Sequence, residues 1–369
     1  MTSITKQLND ILNTETKFRR AQIERAWFDV NINSYDEITT LPLALREKLK
    51  VIPWMSFKTH TALVSKVDNT RKYLLELNDG NYIEMVLMGR KNRKENVGDD
   101  ALDRYTICIS SQAGCPMQCV FCATGKAGFK RHLTAEEIVD QYRIAQRILA
   151  KEGNRVSNIV MMGQGEPLLN YDNVKRALNI LLKNTDLGNT KITMSTAGVV
   201  HSMEQMLKDD DFPPVRFALS LHSAIEETRK KIMPSHKKGF LDFLVIWANA
   251  YHKKLGTRTH FIGLEYIMLA GINDDVKHLK ALITLCKKMP HLRVNLIPYN
   301  YTGDPESAAA ANALEEKMGS NYRIFTRTPH EQIEHWHEEI MKAGFTSTIR
   351  YSQGQDIAAA CGQLRNRVT

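Results

Sequence analysis

The sequence predicts an α/β fold built on a parallel sheet. Six short β-type runs, Thr106 to Ser110, Asn158 to Met162, Lys191 to Ser195, Arg216 to Leu221, Thr259 to Met268 and Arg293 to Pro298, alternate with helical stretches. Residues of unusual chemistry stand just after several of these runs, where parallel sheets gather their ligand sites. The chain of 369 residues, 43% hydrophobic and 25% charged, is long enough for a large core. Such alternation yields either a partial barrel or a doubly wound sheet.

The elements follow in order. Ile4 to Leu12 and Arg20 to Val30 read as helices, and Leu41-Pro42 precedes a short helix, Leu43 to Leu49. Ala62 to Leu77 and Tyr82 to Met88 alternate like strands, with Asn78-Asp79-Gly80 as the turn between them. Gly89 to Asp103 is polar and reads as a loop. These features make residues 1–95 a small accessory domain and residues 96–369 a larger one. Thr134 and Glu137 form a capping box at the head of a helix running to Ala150. Glu331 to Ala343 is helical, and Phe345 to Arg350 offers one more strand. Cys286, Trp27, Trp54 and Trp336 read as packing residues.

No apolar run reaches membrane-spanning length, and Met1 to Asp10 lacks a signal-peptide pattern, so the expectation is a cytoplasmic protein without a membrane partner. A net charge of +9 permits nucleic-acid binding without requiring it. Of six cysteines, Cys108, Cys115, Cys119 and Cys122 lie in one short segment, which speaks for metal or catalysis rather than structural disulfides.

Cys115, Cys119 and Cys122 are spaced C-x₃-C-x₂-C. Three thiolates this close suit one [4Fe–4S] cluster, with one iron left open for a ligand. A zinc ion held by the same cysteines and His132 is the competing reading, although zinc favours paired C-x₂-C spacings. Gly163-Gln164-Gly165-Glu166-Pro167 follows a strand; alone it is a turn, but glycines admit a ligand to the backbone and a carboxylate accepts bonds from an ammonium. Ser195, Ser220-Leu221-His222 and Asn300 are strand-end groups able to bond a ribose or a carboxylate.

These residues together resemble the RlmN family of radical S-adenosylmethionine (SAM) RNA methyltransferases. The likeness is carried by Cys108-Ile109-Ser110-Ser111-Gln112-Ala113-Gly114-Cys115, by Phe121 before Cys122, by Gly163 to Pro167, by Ser220-Leu221-His222, and by Ala360-Cys361-Gly362-Gln363-Leu364. Leu41-Pro42 with Leu45 to Leu49 is similar to the family's N-terminal region.

The resemblance implies a partial (β/α)₆ barrel, one [4Fe–4S] cluster on Cys115, Cys119 and Cys122, and two SAM molecules per turnover. It implies SAM contacts from Gly165, Glu166, Ser195, Ser220, Leu221, His222 and Asn300. Cys361 would carry the methyl group, Glu84 would accept a proton, and Cys108 would free the product through a disulfide. The implied substrates are 23S rRNA at the peptidyl-transferase centre and the tRNA adenine 3′ of the anticodon, methylated at C2, with flavodoxin or ferredoxin as electron donor.

Rival readings are a Cfr-type C8-methyltransferase, disfavoured by Pro167, a glycyl-radical activase, which needs neither Cys108 nor Cys361, and a zinc-bearing RNA-binding protein. The chain departs from the family at Gln164, where methionine is usual, and in the long segment 89–103.

Overall fold

The computed structural model describes residues 4–13, 15–91, 102–255, 260–302 and 325–365. Three helices open the chain: α1 (Ile4–Leu12), α2 (Lys17–Phe28) and α3 (Leu43–Leu49). They close on their own small core, which buries Leu8, Ile23, Leu45, Leu49 and Ile52. An antiparallel meander follows, β1 (Phe57–Val64), β2 (Thr70–Leu77) and β3 (Tyr82–Lys91). Next, β4 (Leu102–Cys108) pairs antiparallel with β3. A two-stranded ribbon, β5 (Gln112–Gly114) and β6 (Phe129–His132), brackets the cysteine loop and the short α4 (Ala123–Ala127).

Helices and strands then alternate: α5 (Ala135–Ala150), β7 (Val156–Met161), α6 (Tyr171–Asn184), β8 (Ile192–Thr196), α7 (Val200–Lys208), β9 (Arg216–Ser220), α8 (Glu226–Ile232), α9 (Phe240–Leu255), β10 (Ile262–Met268), α10 (Val276–Cys286), β11 (Leu292–Pro298), α11 (His330–Lys342) and β12 (Thr346–Ile349). One ten-stranded sheet runs β1-β2-β3-β4-β7-β8-β9-β10-β11-β12. Every pairing from β4 to β12 is parallel. The six expected strands are thus six of seven parallel ones, with β12 as the seventh. Among the described residues no pairing joins β12 back to β1.

Two expectations need correction. The run Ala62 to Leu77 is not one strand. It breaks at residues 65–69, where Ser65 Oγ accepts from the N–H groups of Val67 and Asp68, and Asp68 Oδ1 accepts from Thr70 N–H. Side chains that bond the local backbone favour a turn over a ladder, and Val67 stands exposed at its tip. The expected loop Gly89 to Asp103 is partly strand, because β3 continues to Lys91 and β4 starts at Leu102. Residues 92–101 lie outside the described residues.

The side chains of the parallel strands alternate between two faces. Ile107, Ile159, Met194, Phe217, Leu264 and Val294 pack against the helices, with Trp247 and Trp336 almost wholly buried among them, and Cys286 joins this core. Each such side chain contributes about 1.5–3 kcal/mol by leaving water. Thr106, Cys108, Val160, Met162, Ser195, Ser220, Glu265, Asn295 and Ile297 therefore face inward. The capping box at Thr134 and Glu137 is formed.

Buried arginines of α5 dock the N-terminal helices. Arg143 Nε donates to Trp27 O (2.9 Å), and Arg147 Nη2 donates to the carbonyls of Trp27, Asp29 and Ile32 at 2.9–3.2 Å. The carbonyls of Trp27 and Asp29 end α2, where the helix dipole favours a cation, and Ile32 lies just beyond it. Trp54 lies against both guanidinium groups.

Candidate active site

The cysteine loop begins where the β5–β6 ribbon is tightest. At Gly114, φ is +75°, and a Cβ there would lie 2.0 Å from Gly128 O, so only glycine lets Cys115 N–H reach that carbonyl at 2.8 Å. Cys115 and Cys119 are buried, and Cys122 is half-buried. Burial pushes the Cys115 thiol up to about 12 and the Cys119 thiol higher still, with the neighbouring Cys122 adding to both. The buried Arg229 guanidinium acts the other way on Cys119, pulling its thiol down. Three enclosed thiolates side by side need positive charge among them, which a cationic cofactor supplies.

No group of three Cys, His, Asp or Glu among the described residues is drawn in tightly enough for a single ion. His132 Nδ1 meets Gln112 Nε2 at 3.0 Å. The donor set fits a multi-iron cluster.

Glu166 sits beside this loop and is buried. Its Oε1 accepts from Thr196 Oγ1 (2.6 Å) and Leu168 N (3.0 Å), and its Oε2 accepts from Ala197 N (2.6 Å). Burial raises its carboxyl, and these donors pull it back. Gly165 has φ +105° and lies against Gln112, where a Cβ would come within 2.6 Å. Ser195 and Ser220 face inward at the ends of β8 and β9. Leu221 is fully buried, and its carbonyl accepts from Arg229 Nε. His222 is left-handed at φ +56°, its Nδ1 accepts from Ile267 N–H, and its ring meets Phe121 edge-on. Burial holds the His222 imidazole down at about 3.

The segment 352–364 closes the mouth of the half-barrel. Asp356 accepts from Ser65 Oγ (2.7 Å) and Lys66 N (2.8 Å), and Gly354 N donates to Asp68 (2.8 Å). Further along, Ala123 N donates to Gly362 O (2.7 Å), and Thr124 Oγ1 donates to Leu364 O (2.6 Å). Asn300 Nδ2 donates to Ser352 Oγ (2.8 Å) and Cys361 O (3.3 Å). These bonds fix the tail over a cavity whose wall includes Cys108, Cys122, Met162, Arg350 and Cys361. Cys108 and Cys361 are both free thiols; Cys361 is exposed to that cavity and Cys108 is buried.

Arg350 was not singled out from the sequence. Its guanidinium donates to Glu265 at 2.8 Å and stands beside both thiols. Glu265 in turn accepts from Asn295 Nδ2 at 2.8 Å. Burial pushes Cys108 up to about 12 and raises Cys361, while Arg350 opposes both shifts. Glu84 is buried rather than solvated. It lies 3.1 Å from Lys72 Nζ and 3.3 Å from Gln164 Nε2, and Lys72 Nζ also reaches Ala358 O at 3.3 Å.

Comparison with known proteins places this geometry. Residues 109–283 match the Radical SAM superfamily. The chain is 37% identical over 352 residues to the dual-specificity RNA methyltransferase RlmN of Halorhodospira halophila, covering 95% of this chain and 88% of that protein. The chain belongs to the RlmN family. A crystal structure of a radical SAM methyltransferase from Sphaerobacter thermophilus superposes with a TM-score of 0.83 at 31% identity, covering 98% of this chain and 97% of that one.

Like the RlmN family, the protein is a radical SAM RNA methyltransferase, and a [4Fe–4S] cluster and SAM are its cofactors. No helix among the described residues is long and apolar enough to cross a membrane. Reading the sequence missed Arg350, Lys72 and Arg229. The first two are basic residues in strand-like runs, and only strand pairing shows what they face. Arg229 gave no signal beyond its place in a charged helix.

Proposed function

We propose that the protein methylates C2 of adenine in 23S rRNA at the peptidyl-transferase centre and in tRNA just 3′ of the anticodon. The observation that supports this most is the convergence of two free thiols, Cys108 and Cys361, on one cavity with Cys122. C2 of adenine is electron-poor and does not attack a sulfonium methyl, so the carbon must arrive by another route. When bound, SAM and the cluster supply a methyl group and a 5′-deoxyadenosyl radical that takes a hydrogen atom from it.

The chain's own residues do the rest. Cys361 thiolate would attack the methyl carbon of one SAM, taking the methyl as S-adenosylhomocysteine leaves. The methyl carbon carried on Cys361 would then bond to C2 and join protein to RNA. Glu84 takes the proton from C2, held in place by Lys72 and Gln164. Cys108 then attacks the Cys361 sulfur, releasing the methylated base and leaving a Cys108–Cys361 disulfide, with the one electron left over passing to the cluster when it is bound. Gly165, Glu166, Ser195, Ser220, Leu221, His222 and Asn300 hold SAM, and Cys115, Cys119 and Cys122 hold the cluster. A cytoplasmic flavodoxin or ferredoxin is the proposed electron donor, and residues 1–95 the RNA-binding accessory domain.

Nucleoside mass spectrometry of RNA treated with the reconstituted enzyme is expected to show 2-methyladenosine. Cys361→Ala is expected to give none, and Cys108→Ala to accumulate a nuclease-sensitive protein–RNA band on denaturing gels. The 8-methyl isomer would reassign the protein to Cfr-type chemistry. Normal turnover by Cys108→Ala would end the two-thiol scheme.

A further inference from the structure

At the pole opposite Cys108, the inward face of the sheet carries a different chemistry. Tyr105, Phe217, Leu292 and Val294 lie in the core under the helices, so alternation turns Arg104, Arg216 and Arg293 toward the inside. All three stand at the amino ends of their strands, β4, β9 and β11. Phe261, just ahead of β10, lies between two of them: the guanidinium carbons of Arg216 and Arg293 are 5.5 and 4.5 Å from its ring centroid. Arg104 approaches from β4, across β7 and β8. Burial, then Arg293 and Arg104, hold Arg216 below the usual guanidinium value.

Like charges converge here, and no carboxylate among the described residues pairs with them. None of the three donates a hydrogen bond or pairs with a carboxylate among the described residues, and the Nε atoms of Arg216 and Arg293 are buried without an acceptor. The enclosed arginines elsewhere are met: Arg143 by Asp140, Arg147 by three carbonyls, Arg229 by Leu221 and Ala197, and Arg350 by Glu265. Two half-buried guanidinium groups and an exposed one, held close by the fold alone, repel one another, and an anion between them removes that cost.

We propose that Arg104, Arg216 and Arg293 form a phosphate-binding site at the amino-end pole of the half-barrel, separate from the SAM site. Three guanidinium forks offer more donors than a carboxylate has oxygen lone pairs to accept, and they match the tetrahedral oxygens of phosphate. Phe261 spaces two of the forks and keeps them planar against its faces. The phosphate is either the free ion or a phosphodiester of bound RNA.

The test is thermal unfolding of the holoprotein with increasing inorganic phosphate, ionic strength being held constant with sodium chloride. The wild type is expected to gain about 2 °C or more in Tm, saturably. The double variant Arg216→Gln/Arg293→Gln is expected to lose this gain while melting no lower than wild type without phosphate. Should the double variant fail to fold, Arg104→Gln, at an exposed position, is expected to weaken the apparent phosphate affinity roughly threefold. A uridine oligonucleotide that displaces phosphate in the wild type identifies RNA as the source; one that does not identifies the free ion. No phosphate-dependent rise at matched ionic strength, or the same rise in the variants, overturns the site.

Discussion

His222 shows how far one buried side chain sets behaviour. In the fold its imidazole protonates near pH 3, against 6.5 for the free side chain. Below about pH 6.5 the unfolded chain takes up a proton that the folded chain refuses. The stability this histidine confers is therefore full above pH 6.5 and is lost progressively as the pH falls toward 3. Asparagine tolerates the left-handed backbone at this position and does not titrate. His222→Asn is expected to flatten the loss of stability between pH 7 and pH 5, read from urea midpoints; an unchanged slope would mean that another group dominates.

At the scale of elements, the decisive arrangement is the tail latched to the β1–β2 turn. Asp356→Ala removes the acceptor for both Ser65 Oγ and Lys66 N–H. Amide hydrogen exchange across residues 354–361 is expected to accelerate several-fold while the strands of the half-barrel exchange as before. Uniform acceleration would show that the latch is part of global stability instead. Little of this arrangement was legible in the sequence. The parallel strands were, because runs such as Asn158 to Met162 are bounded by glycine or serine and followed by strongly periodic helices. The split at residues 65–69 was not, because Val67 keeps the apolar alternation going through the turn. The Lys72–Glu84 pair was equally hidden. It is a diagonal contact between β2 and β3 that exists only once Leu74 is set opposite Glu84. The thiolate trio, by contrast, is local, so its spacing alone announced it.

Over the whole molecule, a helical unit with its own core and a large half-barrel are joined by a few buried polar contacts from α5. Arg147 carries three of them, and burial brings its guanidinium down to about 10. Arg147→Met leaves the carbonyls of Asp29 and Ile32 unmet, each costing about 1–3 kcal/mol unless water enters, while Trp27 O keeps Arg143. Calorimetry of this variant is expected to resolve two unfolding transitions, the earlier one belonging to the N-terminal helices. A single transition at the wild-type temperature would show that the Arg147 contacts do not hold the unit in place.

Ser65 and Asp356, the two ends of the tail latch, are separated by 291 positions in the chain. At about 5–20 residues per second, a ribosome takes roughly 15–60 s to pass from one to the other. For most of that interval, once residue 122 has been added, the growing chain has its cysteine loop, Cys108 and Glu84, but no roof above them and no Cys361. The order of synthesis thus makes the nucleophile the last reactive group to arrive, and the protein is nearly complete as a fold before it is complete as a reagent.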